Sequence, residues 1–159
     1  FDDYRAKMNE VILGKNNLVL KRLWNLDTNT YEDGALDRRT KEMLEGIKKS
    51  DANVADPKSE VPQQPDYAKN EFRSVKDEYA VLVGVCTHLG CSPQSSFKAG
   101  PEPYDPEWKG GFYCPCHGSK FDYAGRVYKG APAPLNLPVP PHTYLSDTTI
   151  LIGEDKKGS

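Results

Sequence analysis

The chain has 159 residues and a formal net charge of −2 at pH 7; 37 % of its residues are hydrophobic and its mean hydropathy is −0.69. That length suits one domain with a sizeable core. Neither half carries the basic excess of a nucleic-acid binder. No apolar run approaches the roughly 20 residues of a membrane-spanning helix, and no signal-peptide pattern is visible.

In chain order, Val11-Ile12-Leu13 and Leu18-Val19-Leu20 read as strands around a turn at Gly14 to Asn17, which predicts a hairpin. Residues 25–34 are polar and predict a loop. Leu36, Met43, Leu44 and Ile47 fall at helical spacing, and Lys48 and Lys49 come near the end; a short amphipathic helix is expected over 37–49. Residues 50–70, rich in Asp, Pro and Gln, predict an irregular connection. Tyr79 to Val85 is an apolar run bounded by charges and reads as a buried strand.

Residues 92–110 carry Pro101, Pro103 and Pro106 and predict an irregular segment with Trp108 as its anchor. Gly111 to Tyr113 reads as a short strand. Residues 120–122 and 126–128 flank a turn at Tyr123-Ala124-Gly125. Residues 143–145 and 149–152 predict a final hairpin, and 154–159 a polar tail. Mostly strand, with 13 Gly and 13 Pro, the pattern favours an all-β class: a small antiparallel β-sandwich with a small helical insert.

Two segments hold all four cysteines and two of the three histidines: Cys-Thr-His-Leu-Gly-Cys at 86–91 and Cys-Pro-Cys-His-Gly-Ser at 114–119. Cys86 and His88 form a C-x-H pair, and Cys114 and His117 a C-x-x-H pair. Two thiolates and two imidazoles are the ligand set of a Rieske [2Fe–2S] centre. They also suit tetrahedral zinc, although C-x-H is an unusual zinc arm. Cys91 and Cys116 sit beside the two pairs and leave two readings, a disulfide joining the loops or two buried free thiols. His142 stands apart beside Pro141 and reads as a non-ligand.

Further residues extend the pattern: Asp122, Gly125 and Arg126, the Pro-rich stretch from Gly130 to Leu137, and Gln64-Pro65-Asp66-Tyr67-Ala68-Lys69-Asn70. With these, the chain resembles the Rieske iron–sulfur subunits of bacterial quinol–cytochrome c reductases (the cytochrome bc complex) from about Val61 to Asp155. The resemblance implies a base domain formed by 1–84 and 139–159, with an inserted [2Fe–2S] cluster-binding subdomain at 85–138. It implies that Cys86 and Cys114 hold the inner iron and that His88 and His117 hold the outer one, at the protein tip. Thiolate stabilises ferric iron, so the imidazole-bearing iron is the expected site of the added electron.

The resemblance further implies an electron carrier. His88 and His117 would take an electron, with a proton, from quinol at cytochrome b, and a c-type cytochrome would receive that electron. It makes the chain a subunit of a proton-translocating oxidoreductase in a bacterial inner membrane. The head would face the periplasm, on a membrane anchor missing from this chain. A Cys91–Cys116 disulfide fits such an oxidising compartment. It also argues against the alternative, a soluble Rieske ferredoxin serving an oxygenase, since those usually lack the extra pair. A structural zinc module for protein binding is the third reading.

Around the ligands, Ser119 is expected to donate to a cluster sulfide, with a turn-stabilising role as the plain alternative. Many relatives carry Tyr where this chain has Phe121, so a hydrogen bond to a ligand thiolate is lost and a lower potential is expected. Pro132 and Pro134 are expected in a stiff flap against the cluster. Leu89 has two readings, docking on the quinol pocket or covering the cluster.

Overall fold

The computed structural model describes residues 10–12, 18–25, 30–146 and 149–153, with side chains from residue 39 onward except that of residue 149. The described elements are nine strands and one α-helix, with two single-turn 3₁₀ segments at Asp51–Asn53 and Asp66–Ala68. The strands are β1 (Glu10–Ile12), β2 (Leu18–Asn25), β3 (Thr30–Arg38), β4 (Tyr79–Val83), β5 (Gln94–Ser96), β6 (Gly111–Tyr113), β7 (Lys120–Phe121), β8 (His142–Tyr144) and β9 (Thr149–Ile152), and α1 covers Lys41–Ser50. They form three antiparallel sheets of three strands, ordered β1-β9-β8, β2-β3-β4 and β5-β6-β7.

Strand β4 is apolar on both faces because each face meets a different core. Val81 packs with Ile150 and Ile152 of β9, joining the two larger sheets. Ala80 and Leu82 point the other way, into a core shared with Cys86, Phe112, Cys114, Phe121, Val127 and Leu137. A strand buried on both sides reads as a continuous apolar run rather than an alternation. The expected strand at 79–85 and the final hairpin are present, as is the turn after β7.

Three expectations near the N-terminus are corrected. The hairpin of 11–13 with 18–20 does not form: β1 pairs with β9, from Glu10 opposite Leu151 to Ile12 opposite Thr149, while β2 pairs with β3. The turn proposed for it lies outside the described residues, as does the tail at 154–159. The loop expected over 25–34 is in large part strand, since β3 begins at Thr30 and is the central strand of its sheet. Tyr31-Glu32-Asp33 pairs with β2, and from Gly34 onward β3 pairs with β4 as well, so main-chain hydrogen bonds compensate for the acidic residues and glycine there. Leu36 therefore belongs to β3, and the helix starts at Lys41 rather than 37. Strand β5, inside the segment expected to be irregular, completes the smallest sheet.

Helix α1 begins at Thr40, whose Oγ1 accepts from Met43 N at 3.3 Å. Glu42 in its first turn and Lys48 and Lys49 in its last complement the helix dipole. Met43 and Ile47 pack on Tyr123 and Ala124. The end of α1 is held by Arg126, whose side chain is 1 % exposed. Arg126 donates through Nε to Asp122 Oδ2 (2.8 Å), through Nη1 to Asp51 Oδ1 (2.7 Å) and Pro57 O (3.0 Å), and through Nη2 to Ile47 O (2.6 Å) and Ser50 Oγ (3.1 Å). Asp122 accepts in turn from the backbone N–H of Ala124 and of Arg126, both at 2.9 Å.

Removing one member of such a buried set leaves the other charge unpaired. Arg126→Met is expected to cost about 3–5 kcal/mol of unfolding free energy, measured by urea denaturation. A loss below about 1 kcal/mol would show that the set does not hold α1 to the 122–126 turn.

Candidate iron–sulfur centre

The two cysteine–histidine segments fold as near copies of one another. In the first, which follows β4, Cys86 N donates to Cys91 O at 2.7 Å and Gly90 N to Cys86 O at 3.0 Å. In the second, between β6 and β7, Cys114 N donates to Ser119 O at 2.8 Å and Gly118 N to Cys114 O at 3.0 Å. Each loop is thus closed by the same two bonds, with a glycine at the same offset. Gly90 and Gly118 have φ of 85° and 84°, a left-handed conformation that costs a residue with a Cβ more than it costs glycine.

The loops are joined by a disulfide between Cys91 and Cys116, with Cα atoms 6.6 Å apart. Cys86 and Cys114 remain free and buried. The sulfurs of Cys91, Cys114 and Cys116 lie within 4.8 Å of one another, but two of the three are bonded to each other and only Cys114 offers a thiolate there. Burial pushes the Cys114 thiol above its ordinary range, and the neighbouring Cys86 thiol, within hydrogen-bonding reach, adds to that rise. A cation bound between the two sulfurs would remove that penalty.

The histidines face each other. The rings of His88 and His117 are 4.8 Å apart between centroids and nearly perpendicular. His88 Nδ1 is buried without a hydrogen-bond partner, an orphan that a metal would satisfy. His117 is exposed, His88 half-buried, and Leu89 is 69 % exposed. Two inward thiols, an orphaned imidazole nitrogen and a second imidazole alongside it fit a cluster with cysteines on its inner side and histidines on its outer side.

A third segment closes the site. The Pro-rich stretch after Gly130 is tied to the first loop by Thr87 Oγ1, which donates to Leu135 O at 2.6 Å. It is tied to the second by Ala133 N, which donates to Ser119 Oγ at 2.9 Å. Ala133 is buried, and Pro132 and Pro134 beside it are exposed. Ser119 is fully buried and, having accepted from Ala133, retains its hydroxyl hydrogen for a further acceptor. Phe121 is fully buried in the core with Cys86 and Cys114, and its ring has no donor to offer either sulfur.

His142 lies on β8, where its Nδ1 is 2.8 Å from Pro140 O and its ring meets Tyr67 edge-on. Trp108, buried at 3 % exposure, donates from Nε1 to Ser96 O at 2.9 Å and anchors the segment between the loops. The tight link between the Pro-rich stretch and both loops had no signal in the sequence, because its donors are a threonine and a backbone amide.

The disulfide closes a stretch of 25 residues. Loop-closure entropy puts its contribution near 3.5 kcal/mol. Cys116→Ser is expected to lower unfolding stability by about that amount, measured against the same protein in thermal or urea denaturation. An unchanged stability would mean that β6, β7 and the Pro-rich stretch already hold the loops.

The Rieske [2Fe–2S] domain model matches residues 51–141, more than half of the chain and the whole of both loops. The ubiquinol–cytochrome c reductase iron–sulfur subunit of Allochromatium vinosum is 59 % identical over 118 residues, covering 74 % of this chain and 57 % of that protein. Its counterpart in Rhodospirillum rubrum is 51 % identical over 102 residues, 64 % of this chain and 51 % of that protein. The mitochondrial cytochrome b-c1 complex Rieske subunit of Bos taurus is 47 % identical over 94 residues, 59 % of this chain and 31 % of that protein. The chain thus spans about half the length, or less, of these curated relatives. Among the described residues no helix is long and apolar enough to cross a membrane. Two buried free thiols, two facing imidazoles and the matched domain agree on one cofactor, a [2Fe–2S] cluster in place of zinc, and the chain belongs to the Rieske [2Fe–2S] family.

Proposed function

We propose that this chain is the electron-transfer head of a bacterial quinol–cytochrome c reductase. It takes an electron, together with a proton, from quinol at the quinol-oxidation site of cytochrome b and delivers the electron to a c-type cytochrome. The observation that carries this reading is the pairing of a half-buried His88 with an exposed His117, in the same two loops as two buried free thiols. The bacterial relatives named as ubiquinol–cytochrome c reductase iron–sulfur subunits support it.

Cys86, Cys114, His88 and His117 would hold the cluster, which supplies a one-electron acceptor whose potential the imidazoles raise. The chain's own residues do the rest. A ring nitrogen of His88 or His117 facing solvent accepts a hydrogen bond from a quinol hydroxyl and then takes its proton. Leu89, exposed beside them, offers an apolar contact to the quinol pocket. Pro132 and Pro134 flank the buried Ala133 and stiffen the third wall. Ser119 Oγ, which accepts from Ala133 N, would have its hydroxyl hydrogen left to donate to the cluster, an interaction that would favour the reduced state.

In this reading residues 85–138 are the cluster-binding subdomain and 1–84 with 139–159 the base. The separate sheet β5-β6-β7, which carries the second loop, supports that division. The Cys91–Cys116 disulfide supports an oxidising compartment, hence a head on the periplasmic side of the inner membrane. It also weighs against a soluble oxygenase ferredoxin.

Replacing His117 with Cys removes the outward imidazole while keeping a metal ligand. In the assembled complex His117→Cys is expected to abolish quinol oxidation even where an iron–sulfur signal survives; retained turnover would refute imidazole contact with quinol. Phe121→Tyr supplies the hydrogen-bond donor that this chain lacks. A higher midpoint potential is expected by redox titration, and an unchanged or lower one would assign Phe121 to packing alone.

A further inference from the structure

The disulfide has a nucleophile beside it. The sulfurs of Cys91, Cys114 and Cys116 all lie within 4.8 Å of one another. Cys91 and Cys116 are bonded, and Cys114 is a free thiol next to them. The Cys86 thiol follows, within hydrogen-bonding reach of Cys114. The four sulfurs thus form one contiguous group, a pair of thiols against a cross-link. A thiolate next to a disulfide exchanges with it through a mixed disulfide, with no outside oxidant or reductant.

Burial selects the path. Cys114 is buried, Cys91 half-buried and Cys116 exposed. Attack on Cys91 expels Cys116, whose thiolate leaves into water. Attack on Cys116 would expel the half-buried Cys91 and bridge residues 114 and 116 across Pro115, whose ring fixes φ. The first path is therefore favoured. The Cys114–Cys91 bond forms as the Cys91–Cys116 bond breaks, and the proton lost by Cys114 is regained by Cys116. Cys86 then attacks Cys114 and expels Cys91. The net result is an isomer with Cys86 and Cys114 bonded and Cys91 and Cys116 as thiols, its electron count unchanged. Burial makes the Cys114 thiolate scarce, which slows the exchange without blocking it; uncatalysed disulfide rearrangement runs over minutes to hours.

Resting on the reading of Cys86 and Cys114 as ligands of a Rieske cluster, we infer that Cys114 is an internal nucleophile toward the Cys91–Cys116 disulfide. A cluster on Cys86 and Cys114 fixes the pairing of the cross-link, and a chain that has not yet received one isomerises to a form with neither thiol left to receive it.

The test maps disulfides by mass spectrometry in the full chain, with its cluster and after anaerobic removal of iron by a chelator. Both samples are held at mildly alkaline pH with no added thiol or oxidant, then quenched in acid and alkylated, and far-UV circular dichroism is recorded in parallel. With the cluster in place, Cys91–Cys116 is expected to stay the sole disulfide. In the iron-free protein it is expected to be lost over hours, first to Cys91–Cys114 and then to Cys86–Cys114, with the number of free thiols constant. The fraction of chains that regain an iron–sulfur signal on adding iron and sulfide is expected to fall in step. Iron-free Cys86→Ser is expected to stop at Cys91–Cys114. An iron-free wild-type chain that keeps Cys91–Cys116, or exchanges it only once the strand signal is lost, would overturn the role of Cys114 and leave the Rieske reading intact. Absence of an iron–sulfur signal in the wild-type, iron-replete protein would overturn the Rieske reading itself.

Discussion

A guanidinium with every N–H satisfied ties this molecule together. Arg126 has five donors, and the five acceptors around it come from the end of α1, from Asp51, from Pro57 and from Asp122 in its own turn. Lysine has neither the donors nor the planar fork to replace it. The turn it fixes follows β7, the strand that leaves the second ligand loop. The position of that loop therefore rests on contacts made some 70 to 80 residues earlier in the chain.

On that frame the two loops divide their chemistry by depth. Thiols sit in the core among Leu82, Phe112 and Phe121, where a cluster is shielded from water. Imidazoles sit at the edge, where a proton can be exchanged with a partner. The twin backbone closures place Cys86 and Cys114 equivalently, while the histidines follow at different offsets, two residues on in the first loop and three in the second. The disulfide then holds the loops against each other.

The two cysteine–histidine loops were legible because ligand chemistry is local: four candidate donors and two extra cysteines fall within two six-residue segments. Strand β4 was legible because it is buried on both faces. Strand β3 was not, since its acidic residues and glycine give no alternation and its pairing on both edges is a main-chain matter. The wrong hairpin at 11–20 had the same origin: β1 finds its partner at residues 149–151, a pairing that no local pattern encodes. Arg73 and Arg126 stand in polar stretches of sequence, where a charged residue ordinarily reads as a surface group, yet both are buried.

The central claim is that two imidazoles couple proton uptake to reduction of a cluster held by Cys86 and Cys114. Its most direct test is the midpoint potential of the purified holo-protein as a function of pH, followed by electron paramagnetic resonance or circular dichroism. A proton taken up with the electron makes reduction harder as protons become scarce. The account therefore predicts a positive midpoint that falls as the pH becomes alkaline. A strongly negative midpoint that does not change with pH would contradict it.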